Sequence, residues 1–126
     1  MSVDITALEA LVADLARSAD EADRQARQVV SKGALNIKRD WRANARASSG
    51  RHAPHYPGSI GYDLDSAPGS TSAVIGPDKD AKQGALGNIL EYGTSQQGGH
   101  NDGGRALMSE EARFIAAVEA LTRDLL

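Results

Sequence analysis

The first proline of this chain is Pro54, and ahead of it apolar residues recur at helical spacing with no interruption. Leu8, Leu11, Val12, Leu15, Ala19, Ala22, Ala26, Val29, Val30, Gly33, Ile37 and Trp41 fall three or four residues apart. They form one stripe along a helix that the spacing carries to about Ala47. Asp4 or Thr6 can cap its start, and Thr6 with Glu9 has the spacing of a capping box. At 1.5 Å per residue such a helix is roughly 60 Å long. A chain of 126 residues makes one domain with one modest core, too small to cover that length. Either the helix breaks or a neighbour covers part of it. Ser18-Ala19-Asp20 is the expected break, because Ser and Asp compete for backbone hydrogen bonds. Alanine in the middle of the stripe permits close approach of another helix.

The polar side of this helix changes sign. Asp14, Asp20, Glu21 and Asp23 lie in the first half; Lys32, Lys38, Arg39, Arg42, Arg46 and Arg51 lie in or just after the second. The first reading is charge placed for the helix dipole and for solubility. Two sharper readings follow it: a basic strip that meets a neighbour's acidic face, then one that meets DNA. The net charge of −3 argues against bulk nucleic-acid binding, and Trp41, Phe114, Tyr56, Tyr62 and Tyr92 are too few to stack bases along a strand. With so few aromatics, the core is expected to be mostly Leu, Ile, Val and Ala, with part of the stability supplied by partner subunits.

After residue 47 the pattern changes. Residues 48–58 hold two prolines and two glycines and read as a loop. Residues 59–65 alternate, with Ile60, Tyr62 and Leu64 on one face, and residues 71–76 favour strand. Ser66-Ala-Pro-Gly-Ser70 is turn chemistry, so the pair reads as a β-hairpin. Pro77–Asp80 is a turn. In Gly84–Ser95, Leu86, Ile89 and Leu90 give a short helix with a buried apolar face, closed by Gly93 as a left-handed residue. Thr94–Gly104 is polar and glycine-rich and reads as an exposed, mobile loop. Ser109-Glu-Glu111 resembles a helix cap, and Phe114, Ile115, Val118, Leu121 and Leu125 make the stripe of a last helix. The fold class is α+β: a long N-terminal helix, an antiparallel β-hairpin or small sheet, a short central helix, and a C-terminal helix packed on the sheet. Residues 1–126 make a single domain, with 1–47 as the long helix, partly an extended arm, and 48–126 as the α+β body.

Chemistry-bearing motifs are thin. There is no cysteine, hence no disulfide or thiolate metal site. No run of 18 apolar residues exists and the N-terminus is acidic, so neither a membrane span nor a secretory leader is expected. His52, His55 and His100 could form a zinc site, but the prolines of the segment that holds the first two limit convergence, and ordinary loop histidines fit better. Glu91 lacks a second carboxylate or base at readable spacing; an arginine partner fits it better than general-acid chemistry. The glycine pairs do not follow a strand as a phosphate loop requires. No nucleophile–base–orienter set is visible, so the residues point to no catalytic site, no cofactor and no metal.

Gly50-Arg-His-Ala-Pro-His-Tyr-Pro-Gly-Ser-Ile60, Ala73-Val-Ile-Gly-Pro-Asp78, Asn88-Ile-Leu-Glu-Tyr-Gly-Thr-Ser95 and Arg105-Ala-Leu107 occur in an order that resembles the "gene product 10-like" tail-component family of long-tailed phages. That family sits among the head–tail joining and tail-completion neck proteins. The likeness spans nearly the whole chain, and Glu-Tyr-Gly-Thr after Gly-Pro-Asp is its most specific part. It implies a structural virion protein of the siphophage type, assembled in the host cytoplasm and placed at the head–tail neck. The resemblance implies a homo-oligomeric sixfold ring between a head-side connector or stopper protein and the tail terminator or tail-tube protein, with DNA passing through the channel. Lys38, Arg39, Arg42, Arg46 and Arg51, with Glu91, Tyr92, Gly93, Thr94 and Ser95, are the interaction candidates. Family members often carry a proline-rich rigid segment after Gly-Thr. Gln96–Gly104 replaces it here, so this loop is expected to order only on assembly. A tail terminator ring and a small DNA-associated protein using the basic half of the helix remain open alternatives.

Overall fold

The computed structural model describes residues 6–125, with side chains to residue 124; the cap read at Asp4 lies outside the described residues. The order is α1 (Thr6–Ser49), α2 (Tyr56–Ser59), β1 (Ile60–Ala67), β2 (Ser70–Pro77), a 3-10 turn (Gly84–Leu86), α3 (Gly87–Tyr92) and α4 (Asp102–Leu125). This is the α+β arrangement expected.

Helix α1 runs 44 residues without a break, so the interruption expected at Ser18–Asp20 is absent. Each of these residues gives up only tenths of a kcal/mol in helix propensity, roughly 0.5 each. That is too little to break a hydrogen-bonded ladder when the side chains face solvent. Ion pairs three residues apart, Asp14–Arg17 and Glu21–Arg24, bracket the spot. Two helical neighbours of this kind add a few tenths of a kcal/mol each, roughly 0.2–0.5.

The hairpin pairs Ile60 with Pro77 through to Ala67 with Ser70, leaving Pro68-Gly69 as the connection. Gly69 takes φ +78°, and a proline followed by a positive-φ glycine is the sequence of a type II turn. Both ends of the hairpin are tied to α1. The Arg42 Nε donates to the Ile60 carbonyl at 2.8 Å, and the Gly69 N–H donates to the Asp23 carboxylate at 3.2 Å. An eight-residue strand spans about 27 Å. The α1 segment from Asp23 to Arg42 spans about 28 Å. The two lengths agree, so the hairpin lies along that part of the helix and ends where Asp23 begins.

Helix α4 packs along the same stretch of α1, with β2 across a shared cleft. Its start is fixed beside the end of α1, where Asn44 Nδ2 donates to the Asp102 carbonyl at 3.0 Å. From there it runs antiparallel to α1 and packs on the sheet across a cleft in which Leu107 and Phe114 face Thr71, Ala73 and Ile75. The row it turns inward is Ala106 and Glu110, both buried, and Phe114, Ala117 and Leu121, half-buried, whereas Ile115 and Val118 of the expected stripe are 48% and 40% exposed.

The core also differs from expectation. Its centre is Tyr56 and Ile60 with Ala45 and Ala53, and Trp41, Ile75 and Leu90 pack round it. Small residues let the backbones close on two aromatic rings. The leucines counted on for the core are largely outside, because those of the first helical turns lie beyond the body.

Candidate assembly interface

The best-built polar cluster joins the ends of α1, α3 and α4. Glu91, 8% exposed, accepts the Gly103 N–H at 2.9 and 3.1 Å and the Gly104 N–H at 3.2 Å. A carboxylate on the free N–H groups of a first helical turn is a cap and complements the helix dipole. The expected arginine partner is therefore replaced by a helix N-terminus. Asp102, 1% exposed, accepts the Ser48 hydroxyl at 2.7 Å and Arg105 Nη2 at 2.6 Å. A side chain on residue 103 would place Cβ 2.7 Å from Trp41 and from Glu91, so glycine is required by close packing. Burial raises the Tyr56 hydroxyl above the ordinary tyrosine range; the neighbouring Trp41 N–H opposes the rise, and the Glu91 and Asp102 carboxylates add to it. The two carboxylates are buried and committed to these partners, which makes the cluster a clamp for α4.

This junction corrects three readings. Asp102, Gly103 and Gly104 belong to α4, so the loop ends at Asn101 and Ser109 lies inside the helix, where its hydroxyl donates to the Arg105 carbonyl at 3.0 Å. The short helix α3 buries Gly87 and Glu91, while Leu86 and Ile89 are exposed. Gly87 is small enough to let α3 rest on Pro77 and Tyr56, and that turns the carboxylate inward. The loop expected to order only on assembly is already held within one chain: Thr94 N–H donates to Gln97 O at 2.7 Å, His100 N–H to Leu90 O at 2.8 Å and Asn101 N–H to Glu91 O at 3.0 Å. Gly93 closes α3 at φ +84° as expected, but with an extended ψ of −171° that pairs it with Gly98.

The interaction candidates separate into two groups. Glu91 and Gly93 are internal, and Tyr92, Thr94 and Ser95 form an exposed edge with Tyr92 78% open. Lys38 lies over the Tyr62 ring at 5.7 Å, and Arg42 is spent on the hairpin. Arg39, Arg46 and Arg51 are exposed and form no ion pair among the described residues. The strip read as one basic surface is thus half structural. His52 and His55 are exposed, and among the described residues no three His, Asp or Glu come together as a metal cluster. No described helix is long and apolar enough to cross a membrane.

What remains uncovered is apolar. Every residue from 6 to 20 is exposed, and Leu8, Leu11, Val12 and Leu15 are 59%, 54%, 58% and 61% open. They continue the row in which Val29, Val30 and Gly33 face α4, so the face that packs the body runs on past it for about 22 Å. Leu107 and Met108 of α4 are also exposed, at 57% and 70%. Sequence reasoning missed Glu110, which sits in the inward row of α4 at 3% exposure, accepts from Asn36 Nδ2 at 3.1 Å and pairs with Arg113 at 2.9 Å. Its Ser-Glu-Glu context looked like a first turn.

No protein-family model matches the chain, and no curated protein or solved structure matches it either.

Proposed function

We propose that this chain is a structural subunit of the neck of a long-tailed phage, assembling as a ring that joins or completes the tail at the head–tail interface. The observation that carries the reading is the overhanging arm of α1. Four large apolar residues stand in solvent on a face that elsewhere packs the body. Contiguous exposed apolar surface of this kind marks an association site. The buried carboxylates Glu91 and Asp102, the groups best able to do acid–base chemistry, are occupied in docking α4, which supports a structural role over an enzymatic one. The motif order that resembles the tail-component family supplies the place of assembly: the virion neck, between a head-side connector and a tail terminator or tail-tube protein. A tail terminator ring is the nearest variant of the same reading.

Light scattering on the purified protein, alone and with tail tubes, tests it. A discrete ring, or a monomer that becomes one on tubes, is expected; a monomer indifferent to tubes refutes it. Arg39, Arg46 and Arg51, without an ion-pair partner among the described residues, favour a second reading, a DNA-associated protein. Binding to duplex DNA that falls steeply between low and moderate salt would favour that reading.

A further inference from the structure

We infer that the arm of one copy lies in the groove between α1 and β1 of the next copy, forming a head-to-tail contact. The inference rests on the ring reading above and names the surfaces that make the ring.

The arm is an apolar stripe with acidic margins. Leu8, Leu11, Val12 and Leu15 are its centre. At 3.6 residues per turn, Glu9 and Asp20 lie about a third of a turn to one side, and Asp14, already paired with Arg17, about a third to the other. Its acceptor needs an apolar floor between cations. A groove of about 500 Å³ answers that description: Leu35 and the 45%-exposed Leu64 form the floor, and Arg24, Arg27 and Lys32 the rim. Arg24 is held by Glu21, whereas Arg27 and Lys32 are exposed without a partner among the described residues. Two other clefts are apolar: one of about 670 Å³ between α1 and α4, where Arg24 and Arg113 are already in ion pairs and Glu110 and Asp124 line the wall, and one of about 430 Å³ between α1, β2 and α4, which carries Glu110 and Glu111. Acidic margins would meet acids there, and like charges across a contact select against it.

Direction follows from the helix itself. Leu35 is 27 residues beyond Leu8, about 7.5 turns, so the groove faces away from the stripe by half a turn. Two copies related by a twofold axis would have to cross their unbroken helices for each arm to reach the other's groove, because arm and groove lie on opposite sides of α1. Donor and acceptor on opposite sides give a heterologous contact, which closes as a ring when its rotation permits.

The chain has no cysteine, so disulfide trapping has no background. Leu11→Cys, Leu64→Cys and Leu107→Cys all replace exposed side chains, at 54%, 45% and 57%. Oxidising a mixture of Leu11→Cys and Leu64→Cys copies should give a crosslinked dimer, and the Leu11→Cys/Leu64→Cys double variant should give a ladder ending at one ring size. Joining Arg27→Glu and Lys32→Glu to the Leu64→Cys copy should lower the yield at least tenfold, and Glu9→Lys with Asp20→Lys on the Leu11→Cys copy should restore it. Crosslinking of Leu11→Cys to Leu107→Cys, crosslinking of Leu11→Cys only to itself, or no crosslink in the mixture overturns the inference. Tube binding by the parent protein is scored separately. A ladder without tube binding sinks the neck reading and leaves this contact standing; tube binding with a Leu107→Cys crosslink does the reverse.

Discussion

Replacing Glu91 with alanine should destabilise the fold far more than an ordinary change in a surface helix. The carboxylate is 8% exposed and accepts two backbone N–H groups at 2.9–3.2 Å, Gly103 being itself buried. Loss of a helix cap costs about 0.5–2 kcal/mol. A hydrogen bond to a charged group contributes about 1.5–3 kcal/mol, and a buried donor left unpaired costs about 1–3 kcal/mol. These figures describe overlapping parts of one interaction, so the expected loss is about 3 kcal/mol rather than their total. Glu91→Gln keeps an acceptor oxygen and removes the charge, so about half that loss is expected. For a domain of this size the alanine variant should melt roughly 12 °C lower. Urea unfolding followed by circular dichroism, read at the midpoint with the slope held common, gives both numbers. If Glu91→Ala unfolds within about 0.5 kcal/mol of the parent, the range of a neutral surface change, α4 is not held by this cap and the clamp described here is wrong. If glutamine costs as much as alanine, charge at the helix N-terminus carries the effect and the acceptor geometry does not.

Three further outcomes follow from the same geometry. Leu11→Asp should leave the urea midpoint of the unassembled subunit unchanged and abolish higher-mass species in light scattering, since a half-exposed leucine still has about 1–1.5 kcal/mol to gain on assembly. Gly103→Ala should destabilise by about 1–3 kcal/mol in thermal melts, because its Cβ would arrive 2.7 Å from Trp41 and Glu91. The raised ionisation of Tyr56 makes folding stability complete below the free-tyrosine range and lost as pH climbs through the higher folded value. Melts between pH 8 and about 11 should therefore decline at the alkaline end, and Tyr56→Phe should flatten that decline at little cost near neutrality, since the hydroxyl has no hydrogen-bond partner among the described residues.

Local chemistry made much of the fold legible. Alternation in Ile60, Tyr62 and Leu64, with Pro68-Gly69 between two polar flanks, fixed the hairpin to within a residue or two of its ends. The unbroken stripe before Pro54 fixed the long helix, and its surplus length pointed to an arm. The junction was not legible, because its partners are distant in sequence. Asp102-Gly103-Gly104 reads as a loop by composition, and only a carboxylate eleven to thirteen residues upstream makes it a helix start. The core was misread for a related reason. Periodicity identifies which residues share a face of α1 but not how far along the helix the body reaches, so leucines in the arm and alanines in the body carried equal weight. The basic strip divided because Arg42 finds the Ile60 carbonyl, a contact set by where β1 lands.

The absence of any break between arm and body in α1 has a consequence for how this chain tolerates length changes. Deleting one residue between Asp20 and Asp23 would turn the arm by about 100° relative to the body and draw it in by about 1.5 Å. A subunit so altered would fold normally and still aim its apolar stripe at the wrong place. Removing seven residues would restore the facing to within about 20° while shortening the reach by about 10 Å. Lineages of this protein should therefore vary in arm length by near-whole heptads.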